Sequence, residues 1–352
     1  NSINIRVQTP LGTSVETTEQ SIIKIDEIII DKVGSNLDFF TSTIGSRASV
    51  GLHLLDVAES NKNLMVLTSD VSTSAGLDRY RKKFTNQYLD VGIAEQNLIG
   101  VAAGLASEGH DVITTTFAPF QTMRCCEQIK VNLGYMKHKV TMIGLASGLV
   151  LGNLGYTHCC IEDFSVLRGI PNISIVSPCD SFETIKAIDA SIKNKQSTYI
   201  RITGGANNPI IFKKDYNFKI GKTITLEEGK DICIFATGPI IKEALAAREI
   251  LKKRNIKTKV VNVHTLKPIN NTEILNHSKS KKLLVTLEEH NIIGGLGSVI
   301  SEVLSSEKKT PPLLKIGIED QYDKGGSYEF LKKKHNLEGN KIVKKILKKL
   351  SS

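Results

Sequence analysis

The stretch Asp90-Val-Gly-Ile-Ala-Glu-Gln-Asn97, continuing through Gly100-Val-Ala-Ala-Gly104 to Ser107, decides the fold reading. Ala94, Leu98, Val101 and Leu105 share one face of a helix predicted over 93–107, and Gly109 stops it. The β-branched run Val112–Thr116 follows at once and reads as a strand. Within this helix one residue stands out. Glu95 is a carboxylate in the first turn of an otherwise apolar, Ala/Gly-rich segment. The plain explanation is a helix-end acid favoured by the macrodipole. Ala102, Ala103 and Gly104 would let another backbone or subunit pack closely.

Working outward, the helix–strand alternation recurs. Ala48–Ala58 is helix-like and Leu64–Leu67 is a short apolar strand. Pro119 stands where a helix begins, and that helix is predicted to run toward Gly134. Val140–Ile143, Ile173–Val176 and Thr198–Ile202 are further strands, and Asp180 with Glu183 forms a capping pair for a helix reaching about Ile192. After Gly204 the alternation pauses and then restarts. Strands are predicted over Ile232–Ala236, Lys259–Val263, Leu283–Thr286 and Leu314–Ile318, with helices over Ile240–Lys253 and Gly297–Leu304. The expected class is α/β: two α/β domains with mainly parallel sheets covered by helices. The expected organisation is an N-terminal extension at 1–43, a first domain at 44–205, a linker at 206–226 and a second domain at 227–352.

Composition bounds the function. The chain has 352 residues with 40% hydrophobic and 23% charged side chains, enough to bury cores and to exclude wholesale disorder. The net charge of +10 comes largely from Lys in solvated runs such as Lys332–Lys334. With no Trp and 5% aromatics there is no basic–aromatic interleaving, so nucleic acid is the weaker explanation. Anionic small substrates or a Lys-rich background composition account for the charge equally well. No apolar run reaches the roughly 20 residues of a membrane span, and residues 1–30 carry no signal-peptide pattern. The amphipathic stretch Lys341–Leu350 reads either as a membrane-surface helix or as a terminal helix docked on its own domain. The pairs Cys125-Cys126 and Cys159-Cys160 read as buried free thiols rather than a zinc site. A cytoplasmic protein without metal ligands of its own, membrane or nucleic acid is expected.

Four further segments join the first: Thr115-Thr-Phe-Ala-Pro-Phe120, Gly155-Tyr-Thr-His158, Thr265-Leu-Lys-Pro268, and Glu288-Glu-His290 with Gly294-Gly-Leu-Gly-Ser298. In this order they resemble the transketolase family of thiamine-diphosphate enzymes. The Asp90–Gln96 segment is especially similar to 1-deoxyxylulose-5-phosphate synthase. The resemblance covers about Gly45 to Leu350, which implies a pyrimidine-binding domain followed by a transketolase C-terminal domain. No Gly-Asp-Gly motif occurs, and in full-length members that motif holds Mg²⁺ and the cofactor diphosphate. The resemblance is therefore to the C-terminal subunit of a split transketolase. It implies thiamine diphosphate as cofactor, with Mg²⁺ or Ca²⁺ held mainly by an N-terminal partner subunit. A homodimer core within a heterotetramer follows from the same resemblance, as does a sugar-phosphate substrate. The implied reaction moves a two-carbon ketol unit from a ketose phosphate to an aldose.

Carried over by position, the resemblance makes Glu95 the glutamate that contacts ring nitrogen N1′ of the aminopyrimidine. Phe117 and Phe120 match aromatics that pack around that ring; the residues alone read as two core aromatics at i, i+3. Met123 falls at the next aromatic position of the series, where a sulfur–ring contact would replace stacking. His158 matches a histidine that reaches the substrate. Arg47, Ser74 and Arg201 match positions that bind the sugar phosphate, Arg47 before a helix and Arg201 at a strand end.

Departures from the family pattern accompany these matches. An acidic pair is replaced by Asn153 and Leu154, the Pro before Thr-His is Tyr156, a phosphate-site histidine falls at Ala146, and Asn97 stands where relatives often have His. These changes bear on the sugar rather than on the Glu95 chemistry. Two rivals share the domain pair: the β subunit of a 2-oxo acid dehydrogenase, and a non-catalytic assembly subunit. The phosphate-binding set argues against the first, and intact Glu95 and His158 against the second.

Overall fold

Val, Ile and Leu fill the strands of this chain because the sheets are covered on both faces. The computed structural model describes residues 46–204, 208–212 and 214–351, with the side chains of 46–48 outside that description. The expected extension at 1–43 also lies outside it. The strands are β1 (Leu64–Thr68), β2 (Tyr88–Asp90), β3 (Asp111–Phe117), β4 (Val140–Ser147), β5 (Ile173–Val176), β6 (Ser197–Thr203), β7 (Ile224–Glu227), β8 (Ile232–Ala236), β9 (Thr258–Asn262), β10 (Thr265–Lys267), β11 (Leu283–Asn291) and β12 (Leu313–Ile318). Every residue of β4, β5, β6 and β8 is buried. Two sheets result, in the orders β10-β5-β6-β4-β3-β1-β2 and β12-β11-β8-β9-β7. All pairings are parallel except at two edges, where β10 runs antiparallel to β5 and β7 antiparallel to β9.

Strand β10 ties the two lobes together. Its sequence, Thr265-Leu-Lys267, lies after the first strands of the second sheet but pairs with the first sheet. The Lys267 ammonium donates to the carbonyls of Arg168 and Ile170 beside it. The segment expected as a linker is also packed. The Asp180 carboxylate accepts from the backbone N–H groups of Ile211 (2.7 Å) and Phe212 (3.1 Å), and the rings of Phe212 and Tyr216 lie 4.3 Å apart. Asp180 caps the Ser181–Lys193 helix as expected, accepting from the Glu183 N–H at 2.8 Å.

Two helices differ from expectation. The helix predicted from residue 93 begins at Glu95. Gly92 holds φ +73°, and the Ser69 hydroxyl accepts from the Ala94 N–H (3.1 Å) while donating to the Gly92 carbonyl (2.6 Å). The chain is thereby turned sharply just before Glu95. The helix predicted from Pro119 toward Gly134 is broken. It runs Ala118–Gln121, unwinds, and resumes at Cys126–Gln128 before passing into a π-helix at Ile129–Tyr135. Side chains cause the break. The Cys125 thiol donates to the Phe120 carbonyl (3.0 Å), the acceptor the Arg124 N–H would use in a helix, and that N–H turns to the Pro119 carbonyl instead (3.3 Å); the Thr122 hydroxyl adds a second bond to the Ala118 carbonyl (2.7 Å).

Among the described residues no helix is long and apolar enough to cross a membrane. The terminal helix Gly339–Ser351 buries Ile342, Val343 and Ile346 in the core of the second lobe, with its lysines outward. Cysteines 125, 159, 160, 179 and 233 are buried free thiols, while Cys126 is half-buried.

Candidate active site

The carboxyl ends of β1, β2, β3 and β4 open onto one side of the first sheet, where parallel α/β proteins place their ligands. Glu95 follows β2, Phe117 ends β3, Phe120 lies one turn beyond it, and His158 sits in the loop after β4. Glu95 is 5% exposed despite its charge. Its first-turn position in a helix, where unpaired N–H groups gather, makes that burial tolerable. The Cys125 thiol lies near it, and burial together with that carboxylate pushes the thiol up to about 12.

The broken helix brings a residue to Glu95 that sequence reasoning did not single out. Arg124 places Nη1 2.7 Å from the Glu95 Oε2 atom and lays its guanidinium 4.0 Å from the centre of the Phe120 ring. The Phe120 ring in turn meets His158 edge-on at 5.3 Å and Phe117 edge-on at 6.3 Å. A continuous group thus forms: carboxylate, planar cation, aromatic face and imidazole. The sequence carried a faint signal for Arg124, its i, i+4 spacing from Phe120. The Gln96 side chain fixes the geometry from the other direction, donating to the Arg124 carbonyl at 3.1 Å.

The other expected site residues are placed differently. Ser74 is half-buried in the loop after β1, and Met123 is 39% exposed beside the cluster's Arg124. Arg47 lies in the first turn of the Ser46–Ser60 helix, its side chain outside the described residues. Leu154 and Asn153 are exposed at the tip of the 149–158 loop. Tyr156 turns away toward the second lobe, its hydroxyl 3.1 Å from the His335 ring.

Arg201 requires correction as a phosphate ligand. Its side chain is 1% exposed and bonds within the protein through Nε and Nη2. Nε donates to both oxygens of buried Asp163 (3.0 and 2.8 Å), and Nη2 donates to the carbonyls of Cys160 (3.2 Å) and Glu289 (3.0 Å). The Tyr199 hydroxyl completes the Asp163 shell at 2.7 Å. A guanidinium held this way has no open face toward a ligand. The strand-end position suggested a clamp; burial between the lobes makes it a joint.

The Glu288-Glu-His290 motif belongs to the same joint. Glu288 accepts from the N–H groups of Leu296 (2.6 Å) and Gly297 (2.8 Å) at a helix start. Glu289 accepts from the Leu149 N–H (2.8 Å) and the Tyr328 hydroxyl (2.7 Å). Gly148, at φ +70°, is required there, since a Cβ would come within 2.3 Å of a Glu289 oxygen. His290 stacks on Phe164 at 4.8 Å, and burial pushes its imidazole down to about 4. Among the described residues no group of three or more His, Cys, Asp or Glu could hold a metal ion.

The fold and site define a two-lobed α/β protein with a buried acid joined through an arginine to an aromatic surface at the carboxyl edge of a parallel sheet. Residues 42–207 match the transketolase pyrimidine-binding domain and residues 221–342 match the transketolase C-terminal domain. The chain belongs to the transketolase family and carries these two domains of it. A Methanocaldococcus jannaschii protein provisionally named transketolase C-terminal section is 36% identical over 308 residues, covering 87% of this chain and 96% of that one. The 6-deoxy-6-sulfo-D-fructose transketolase subunit of a Clostridium species is 34% identical over 291 residues, covering 83% and 90%. The solved structure of a split-gene transketolase, described as an inactive β4 tetramer, aligns with TM-score 0.78 and 32% identity over 88% of this chain and 98% of its own.

Proposed function

We propose that this chain is the C-terminal subunit of a thiamine-diphosphate-dependent transketolase, active together with a separate N-terminal subunit. The single observation that supports this most is Glu95: a carboxyl group kept 5% exposed at a helix start and linked through Arg124 to the Phe120 ring. Desolvating a carboxylate is costly, and a fold that merely needed a helix-end acid would leave it in water. The residues present fit the aminopyrimidine half of the cofactor. A buried acceptor and the flat face of Phe120 supply the hydrogen-bonding and stacking partners such a ring needs, and a planar N–H donor, the Arg124 guanidinium, already spans the two.

When bound, the cofactor supplies the electron sink that makes carbon–carbon cleavage next to a carbonyl feasible. The chain's own residues do the rest. Glu95 holds a proton at ring nitrogen N1′, in a pocket dry enough for that hydrogen bond to count. Phe117 and Phe120 enclose the ring and exclude water. His158, half-buried beside Phe120 and 2.9 Å from the Thr157 hydroxyl, faces the substrate oxygen and can exchange a proton with it. The divalent cation and diphosphate fall to the partner subunit, and the active complex contains two copies of each chain in the cytoplasm.

The donor is a ketose with an anionic end group. The loop-tip Leu154 offers no hydrogen-bond acceptor, which fits a donor other than the usual pentose phosphates; the relative acting on a sulfonated sugar points the same way. With Arg201 committed to Asp163, the phosphate end is left to Ser74 and Arg47. The case against a 2-oxo acid dehydrogenase β subunit, which shares the domain pair, now rests on the similarity to transketolase subunits, since the three-residue phosphate set has lost a member. The test is reconstitution. The chain is mixed with the product of a reading frame encoding a Gly-Asp-Gly subunit, and ketol transfer is assayed against a panel of ketose phosphates and sulfonates. Transfer is expected in the mixture alone. Equal turnover by the isolated chain, or decarboxylation of pyruvate without ketol transfer, would overturn the proposal.

A further inference from the structure

We infer that Arg124 competes with the aminopyrimidine for Glu95 and the face of Phe120, and leaves both when the cofactor enters. The inference rests on the cofactor reading above. Three observations carry it. First, the Arg124 guanidinium uses the two features the ring would use, the Glu95 carboxylate (2.7 Å) and the face of Phe120 (4.0 Å). A guanidinium and a protonated aminopyrimidine share the same chemistry, a flat delocalised group presenting N–H donors to a carboxylate. Two flat groups cannot occupy one slot, so one must leave.

Second, the arginine is built to move while its backbone is not. Its side chain is 43% exposed, whereas the carboxylate beneath it is 6% exposed. The Arg124 N–H donates to the Pro119 carbonyl at 3.3 Å, and its own carbonyl accepts from Gln96 at 3.1 Å. The side chain can swing to solvent about a fixed anchor. Third, Glu95 needs a counter-charge. A carboxylate this buried with no partner carries a desolvation penalty, and Arg124 offsets part of it wherever the ring does not.

The consequence is a competition. Only the fraction of molecules with Arg124 swung out can bind, so apparent affinity falls by that fraction. A charge-assisted hydrogen bond plus a cation–π contact, discounted for the arginine's exposure, makes that reduction roughly 5–30-fold. The same competition gives selectivity, because a ring lacking an N–H aimed at Glu95 gains nothing by evicting the arginine.

The experiment titrates thiamine diphosphate, with Mg²⁺ present, into the full chain combined with its Gly-Asp-Gly partner, by calorimetry. Wild type, Arg124→Ala and Arg124→Lys are compared, with circular dichroism of each unloaded protein as the control for folding. Arg124→Ala is expected to bind roughly 5–30-fold more tightly than wild type. Arg124→Lys, which keeps the charge but loses the planar fork, is expected to fall between them. Wild-type binding with equal or weaker binding by folded Arg124→Ala would overturn this inference and leave the transketolase reading standing. Should Arg124→Ala fail to fold, Arg124→Lys decides alone: tighter binding supports the inference and unchanged or weaker binding overturns it. Absence of binding by every form would overturn both.

Discussion

Two arginine–carboxylate pairs sit in the same lobe and do opposite work. Arg201 and Asp163 are 1% and 0% exposed, and protein groups hold both partners: Tyr199 on the acid, two carbonyls on the base. Arg124 and Glu95 are 43% and 6% exposed, joined through one oxygen, with the cation resting on an aromatic face. The chemistry of the pairs is the same; the surroundings differ. A buried pair with a complete hydrogen-bond shell is fixed, because breaking it strands a charge in a dry interior. A half-open pair is exchangeable, because water and ligand can replace either contact. The first pair joins the lobes and the second marks a site.

Replacing the acid of each pair breaks the comparison most sharply. Glu95→Gln is expected to lower ketol transfer by the reconstituted complex by roughly 10²–10⁴-fold, as loss of a positioned proton-transfer group does, while the urea midpoint stays near wild type. A loss under about threefold would make Glu95 an ordinary helix-end acid. Asp163→Asn should show the converse. Stability is expected to fall by about 3–5 kcal/mol, read from the urea midpoint, because Arg201 remains buried without its counter-ion. A fall of under about 1 kcal/mol would mean that Arg201 finds water, and that the closed description of this pair is wrong.

The closed region should also respond to pH. Burial lowers the His290 imidazole to about 4, against an unfolded value near 6.5, and its ring lies 3.7 Å from Asp163. Between those values the unfolded chain binds the extra proton, so this residue's contribution to stability is present above pH 6.5 and is lost as the pH falls toward 4. His290→Gln is expected to flatten the dependence of stability on pH in that window, by up to ~1.4 kcal/mol per pH unit. Glu288, raised by burial to about 7, acts in the opposite sense, so the reading is the difference between variant and wild type at pH 4.5, 5.5 and 6.5. Identical slopes would sink the assignment. Of the two pairs, the open one loses less stability when broken. Arg124→Ala is expected to cost about 1–2 kcal/mol, the same roughly 5–30-fold preference read by the urea assay. A loss comparable to that of Asp163→Asn would erase the distinction between the two pairs.

Much of the architecture could be read before any coordinates. Residues such as Val112–Thr116 and Ile232–Ala236 are apolar or β-branched throughout, and that pattern dictates buried strands of a parallel sheet. Asp180 with Glu183 announced a helix start that the backbone then uses. Glu95 was conspicuous as a lone carboxylate in an apolar helix. The continuous helix expected from Pro119 was not found, since propensity does not register that the Cys125 thiol takes the Phe120 carbonyl and the Arg124 N–H turns to Pro119. Strand β10 escaped notice because three residues carry no period, and its partner lies in the other lobe.

Local sequence therefore determined the α/β alternation, the class of the two lobes and the presence of an unusual acid at a helix start. These are properties of neighbouring residues: period, turn chemistry and caps act over a few positions. Tertiary structure decided which arginine meets which carboxylate. Arg201, expected to face a ligand, meets Asp163 thirty-eight residues away in the chain and closes over it. Arg124, in a segment that read as plain helix, unwinds into contact with Glu95 twenty-nine residues before it. Charge can be read from the sequence, but desolvation and partnership depend on what the whole chain packs around each group, and those terms separate a joint from a site.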